Sequence, residues 1–417
     1  MTENRQPKFF YGYFVVAATF LLMAIMWGTQ YTFGVFFKPL LIEFGWTRAM
    51  TSAAFSLSLI LTGFLSVVAG KLTDRFGPRV VVTVCGCFLG LGFLLVSQTS
   101  TIWHLYLFYG VLVGIGMSGS FVPMASTVAR WFVKRRGMMT GIAVSGLGVG
   151  TLIMPPIANW LISSYGWRNS YIVVGIAALV LVVLAAQVLR YDPRQMGQLP
   201  YGENELEEKV GSNVTGFSLQ EAIHTPQLWM LGAAWLCFGL SLGTVLVHIV
   251  PHAIGLGISD ASAALILAII GGLSAGGRVI MGSASDRIGN KPALIICFVF
   301  LSVALFWLLT ARESWMFYLF AVIFGFGYGG VAALAPPLVA ELFGLTSHGV
   351  ILGCLMICAE GGSAIGPVVA GHIFDVTGSY SLAFLIYAII GVTGLIMILL
   401  LKPAGKEVKA SESGRSA

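Results

Sequence analysis

The sequence predicts an all-α membrane protein, with twelve transmembrane helices in two pseudo-symmetric six-helix bundles. Three observations predict it: too little charge to coat a soluble fold, twelve long apolar runs, and a repeat relating the two halves of the chain. Of 417 residues, 57% are hydrophobic and 10% charged, whereas soluble domains carry about 25% charged residues. A soluble protein of this length needs a charged coat, and lipid as the solvent removes that need.

Crossing the hydrocarbon as a helix takes about 20 apolar residues. Such runs cover residues 11–37, 51–70, 80–97, 103–127, 137–163, 170–189, 228–250, 261–281, 292–310, 315–340, 349–372 and 381–401. An even number of spans puts both termini on one side. Eighteen of the 23 Lys and Arg lie in the termini and in the loops on their side; only Lys38, Arg48, Arg168 and Arg312 lie in the opposite loops, and Arg278 lies inside a span. Positive charge stays inside, so both termini are expected in the cytoplasm and the chain in the cell (inner) membrane. The net charge of +6 follows from this bias and is no nucleic-acid footprint. The first span is too long for a signal-peptide core, so no cleaved leader is expected.

Residues 1–10 and 402–417 read as cytoplasmic tails, 11–189 and 228–401 as the two bundles, and 190–227 as a flexible, acidic linker carrying Asp192, Glu203, Glu205, Glu207, Glu208 and Glu221. Near its end Ser218 and Glu221 have the spacing of a capping box, and Thr225-Pro226 stops the helix there, which predicts a short surface helix on the membrane. The sequon Asn213-Val214-Thr215 falls on the cytoplasmic side and is discounted.

A shift of 212 residues lays the second half on the first. Asp74, Arg75 and Gly77 fall on Asp286, Arg287 and Gly289. Gly137, Gly141, Gly150 and Pro155 fall on Gly349, Gly353, Gly362 and Pro367, and Gly166 on Gly378. Trp103 and Tyr106 fall on Trp315 and Tyr318, and the run Gly114 to Gly119 meets Gly325 to Gly330 one residue out of step. Two such bundles can rock about a solute site at the midplane and open to alternate sides. Small residues permit close helix approach in lipid, so spans five and eleven are expected at the moving interface.

The stretch from Gly70 to Arg79, a turn of small residues with a fixed acid and base, resembles the signature between helices two and three of the major facilitator superfamily. Its second copy runs from Gly282 to Lys291. The resemblance implies a gating role for Asp74, Arg75, Asp286 and Arg287. Trp131 to Gly146 resembles the fifth-helix motif of the monocarboxylate transporters, and Tyr165 to Tyr171 the entry to their sixth helix. The phrase from Tyr31 to Lys38 is similar to one in bacterial oxalate:formate antiporters. The resemblance covers nearly all of the membrane region and implies a carrier of small carboxylates, working as a monomer in the bilayer with a proton as partner.

Only Arg278 and Glu360 put formal charge well inside a span, at a cost of about 2.5–3.5 kcal/mol on insertion scales, so each is expected to have a function or a partner. Arg278 follows an almost side-chain-free run, Gly271 to Gly277, and its repeat counterpart is Ser66. The family resemblance implies that an eighth-helix Arg binds the substrate carboxylate, and a planar guanidinium suits that task. Glu360 has two readings: a proton carrier, or the ion partner of Arg278. Oxalate carriers use an eleventh-helix Lys for a second carboxylate. Here span eleven has none, and Glu360 would repel a dianion, which points to a monoanion.

The chain departs from the monocarboxylate pattern in three places. Ser274 stands where those transporters keep an acid before the Arg. Their first-helix Lys is missing, with Gly34 following Tyr31-Thr32-Phe33 and Lys38 further out. Their opening acidic-glycine motif is replaced by Tyr11-Gly12-Tyr13. Proton coupling then falls to His248 or Glu360, against the simpler reading of His248 as a packed interfacial residue. Other lining candidates are Tyr31, Met117, Tyr328 and, from the fifth-helix motif, Ser145, each of which could equally be packing.

Other classes fit poorly. The six cysteines lie in apolar runs and read as small hydrophobes, with no metal or cofactor implied. No cluster of acids and bases suggests an enzyme. The 38-residue linker is too short for the extra domain of a sensor.

Overall fold

The computed structural model describes residues 10–203 and 216–402. The sequon at 213–215, the linker acids Glu205, Glu207 and Glu208, and the tails beyond Lys402 lie outside the described residues. Among them, eleven helices are long and apolar enough to cross a membrane. One, Arg136–Ala186, contains Gly166 at φ 76° and ψ 161°. A residue with a Cβ would be strained there, and the break divides this helix into two spans, completing the expected twelve. We number them α1 (Gly12–Phe44), α2 (Arg48–Phe76), α3 (Pro78–Val96), α4 (Ile102–Trp131), α5 and α6 (Arg136–Ala186, before and after Gly166), α7 (Pro226–Gly255), α8 (Asp260–Ile288), α9 (Asn290–Leu308), α10 (Ser314–Phe343), α11 (His348–Thr377) and α12 (Ser381–Leu400).

The repeat is realised in three dimensions. Gly150 of α5 packs on Ala24 of α1, where a Cβ would lie 2.8 Å from the Ala24 Cα. Gly362 of α11 packs on Leu236 of α7, where a Cβ would lie 2.6 Å from its carbonyl oxygen. The 212-residue shift carries both members of the first pair onto the second. The bundles then meet along α2 against α11 and α5 against α8. Spans five and eleven thus sit at the interface, as their glycines predicted.

Three details differ from the sequence reading. The signature stretch is helical through Phe76, and the turn is Gly77 alone, at φ 82°. Its polar residues extend α2 past the hydrocarbon, where the headgroup region still accommodates a helix. Span four is interrupted. It has a wide π-helical stretch at Tyr106–Val113 and a break before Val122–Trp131, with Phe121 at φ −127° and ψ −63°. Pro123 lacks the N–H that would continue the ladder. Finally, the start of the linker is anchored to the first bundle: Tyr201 N–H donates to the Trp131 carbonyl at 3.0 Å, and Trp131 Nε1 to the Arg190 carbonyl at 2.8 Å. At the linker's other end, helix Leu219–Ile223 carries the expected capping box between Ser218 and Glu221.

At the end remote from the termini, Glu43 accepts from Trp167 Nε1 at 2.5 Å and from Arg168 Nη1 at 2.6 Å. The motif at the entry to span six is therefore a staple between α1 and α6.

Candidate functional site

Between the bundles lies a cavity of about 780 Å³. Trp27, Tyr31 and Phe37 line it from α1, Ser52 and Phe55 from α2, and Phe121 from the break in α4. The second bundle contributes Trp235, Phe238 and His248 from α7, Arg278 from α8, Tyr328 from α10, and Met356, Glu360 and Ser363 from α11. These positions run from mid-helix toward the ends remote from the termini. The cavity therefore opens on that side, and its wall is mostly aromatic and aliphatic with two charges set into it.

Arg278 is fully buried and forms part of the wall. Its Nη1 donates to Ser274 Oγ at 2.6 Å, and its Cζ lies 4.9 Å from the centroid of the Tyr328 ring. Its Nε and Nη2, both buried, have no hydrogen-bond partner among the described residues. Those two nitrogens form one edge of the guanidinium, the edge that takes a carboxylate through two parallel bonds. Gly148 of α5 gives the group its space, since a Cβ there would stand 3.0 Å from Nη1.

Glu360, 8% exposed, lines the same cavity. Among the described residues it joins no ion pair with Arg278, and the pairing held open by the sequence is not formed in this conformation. His248 is engaged on both sides: its Nε2 lies 2.8 Å from the Pro367 carbonyl and its Nδ1 3.2 Å from the Tyr380 hydroxyl. A carbonyl only accepts, so Nε2 carries the proton, and in the neutral ring Nδ1 accepts from Tyr380.

Two sequence candidates do not reach the cavity wall. Met117 is 1% exposed and buried within the first bundle; the break one turn later presents Phe121 instead. Ser145 turns its hydroxyl onto its own helix, donating to the Ile142 carbonyl at 2.7 Å. Tyr31 and Tyr328 do line the cavity. Phe121, Trp235 and Phe238 escaped the sequence reading because an aromatic in an apolar span carries no mark of the face it occupies.

On the side of the termini the bundles are closed. Asp286 of α8 accepts from the backbone N–H groups of Gly137 at 2.8 Å and Met138 at 2.9 Å, in the first turn of α5. An acid at a helix N-terminus satisfies orphan donors and suits the helix dipole. The symmetric acid, Asp74, lies against the start of α11, where a Cβ on Gly349 would be 3.1 Å from both its carboxylate oxygens. Asp74 also accepts from Arg130 Nη2 at 3.0 Å, and the same nitrogen donates to the Leu345 carbonyl at 2.7 Å. Both signature acids thus reach the opposite bundle. The signature bases Arg75 and Arg287 are exposed, and Arg75 lies over the Phe76 ring. The base that serves Asp74 is Arg130.

Two six-helix bundles joined in one chain, closed on one side and open on the other around a central cavity, define a multi-pass membrane carrier. The comparisons agree. Residues 19–283 and 253–417 match the family model of the Major Facilitator Superfamily, and the chain belongs to that superfamily of transporters. It is 28% identical to monocarboxylate transporter 13 of Rattus norvegicus, over 92% of this chain and 87% of that one. It is 30% identical to the MFS-type transporter YhjX of Escherichia coli (strain K12), over 77% and 78%. Among solved structures, the proton:xylose symporter XylE bound to 6-bromo-6-deoxy-D-glucose superposes with a TM-score of 0.75 at 17% identity, covering 94% of this chain and 96% of that one.

Proposed function

We propose that the protein carries a small monocarboxylate, of the lactate or pyruvate kind, across the cell (inner) membrane by proton symport, as a monomer with both termini cytoplasmic. The observation that carries this reading is the unoccupied Nε–Nη2 edge of Arg278 beside a cavity between the bundles. A buried cation with one free bidentate edge is matched by a single carboxylate. Glu360 in the same cavity disfavours a dianion, and the similarity to monocarboxylate transporters supports the same class. Tyr31 and Tyr328 flank the anion, and the conformation described is the outward-facing one.

Glu360 is the better proton carrier of the two candidates. Both nitrogens of His248 are already bonded, whereas the Glu360 carboxyl is at the wall without an ion partner among the described residues. With Glu360 neutralised by a proton and Arg278 by the substrate, the cavity can close with no unpaired charge. Asp74 and Asp286 hold the cytoplasmic side shut until the loaded bundles rock.

Uptake of labelled lactate into vesicles holding the purified protein, under an imposed pH gradient, tests this. Acceleration by an inward proton gradient is expected. Exchange that ignores the gradient would replace the symporter by an anion exchanger, and no movement of any carboxylate would leave a receptor on a transporter scaffold.

A further inference from the structure

Helix α8 contains glycines that helix packing does not require. A Cβ added at Gly272 or Gly276 meets nothing within 4 Å, and one at Gly271 meets only Thr151 Oγ1, at 3.8 Å. Gly277 is different, being pressed against Phe326 of α10. Glycine inside a helix costs roughly 0.5–1 kcal/mol relative to alanine, so three with room for a side chain need another reason. The repeat sharpens the contrast. Their counterparts in the first bundle, by the 212-residue shift, are Leu59, Ile60 and Phe64. The second bundle has been emptied where the first is filled.

Gly271 borders a side pocket of about 420 Å³ between α5 and α8. The pocket shares Tyr31, Leu246, Leu267 and Tyr328 with the central cavity and is lined beyond them by Thr151 and Pro155 of α5. At its inner end stands Ser274, the residue that holds Arg278 at 2.6 Å. Gly271 lies one turn further, about 4.5 Å along the helix axis. The pocket's two aliphatic hydroxyls are already used, Ser274 donating to the Gly271 carbonyl at 2.7 Å and Thr151 to the Gly148 carbonyl at 2.9 Å. The pocket therefore adjoins the carboxylate site through Ser274 and is mostly apolar, the Tyr31 and Tyr328 hydroxyls aside.

We infer that the side pocket seats the apolar tail of the substrate, so that the protein accepts monocarboxylic acids bearing a phenyl or branched aliphatic group, with the carboxylate on Arg278 and the tail against Gly271. This rests on the carboxylate reading of Arg278 and specifies its substrate class. The test compares uptake of labelled 3-phenylpropionate and lactate by the full chain in vesicles, for wild type and Gly271→Leu. Leucine refills the position as in the first bundle and favours the helix. The ratio of phenylpropionate to lactate uptake is expected to fall at least ten-fold, while Gly272→Leu, which borders neither cavity, leaves the ratio unchanged. An unaltered ratio in Gly271→Leu, as when a lipid chain fills the pocket, would overturn the inference. So would a wild type that moves lactate but not phenylpropionate. A wild type that moves neither acid, or an Arg278→Gln variant that moves both, removes the carboxylate reading and this inference with it.

Discussion

The guanidinium of Arg278 lies 4.9 Å from the centroid of the Tyr328 ring. No acid pairs with Arg278 among the described residues, so the ring and Ser274 are what this structure offers its charge. A desolvated cation–π contact stabilises by about 2 kcal/mol, which fixes the guanidinium where a substrate carboxylate would meet it. Tyr328→Phe keeps the ring and is expected to leave the KM for uptake within a few-fold. Tyr328→Leu is expected to raise it by an order of magnitude or more. Equal behaviour of the two variants would remove the ring from the account.

Closure on the side of the termini depends on backbone contact between α2 and α11. A Cβ at Gly70 would lie 2.5 Å from the Gly349 carbonyl carbon, and one at Gly349 would lie 2.9 Å from the Gly70 carbonyl oxygen. Overpacking there costs about 1–3 kcal/mol. Gly349→Leu is expected to open that side, raising labelling of a cysteine at the buried position 66 by an impermeant thiol reagent roughly 5-fold or more. Unchanged labelling would mean the helices do not need this contact to close.

Asp286 caps α5 through two backbone donors. Asp286→Ala forfeits both bonds, a loss of about 1 kcal/mol, and is expected to slow transport and raise the same labelling. Arg287→Ala, at an exposed position, is expected to do neither. If the two variants behave alike, the signature acts by its net charge alone.

Glu360→Gln removes the carboxyl while keeping its shape. Loss of the response to an inward proton gradient is expected, with exchange of substrate across the membrane preserved. Gradient-driven uptake that persists in this variant would move the proton elsewhere.

Much of the fold was legible because lipid imposes it. Long apolar runs and a glycine repeat suit a chain that crosses a bilayer, and they reappear as helices, an interface and a turn such as Gly166. The charged part of the site was legible for the same reason: Arg278 and Glu360 stand out where charge is costly. What escaped was orientation. Met117 and Ser145 lie on helices near the cavity, yet one faces the bundle core and the other its own backbone, and a helix apolar all round gives no sign of which face looks inward. The break at Phe121 depends on how Pro123 is accommodated, and the Asp74–Arg130 pair joins residues 56 apart in sequence, a distance no local pattern spans. The emptied side of α8 was visible as glycines, but only packing separates Gly277, which needs its close contact, from Gly271, which borders open space.

The central claim is that the free edge of Arg278 holds the substrate carboxylate. Lactate uptake by Arg278→Gln, in vesicles with insertion verified by the yield of folded protein, tests it most directly. The account predicts at least a hundred-fold loss of uptake in a normally inserted protein, and near-normal uptake would contradict it.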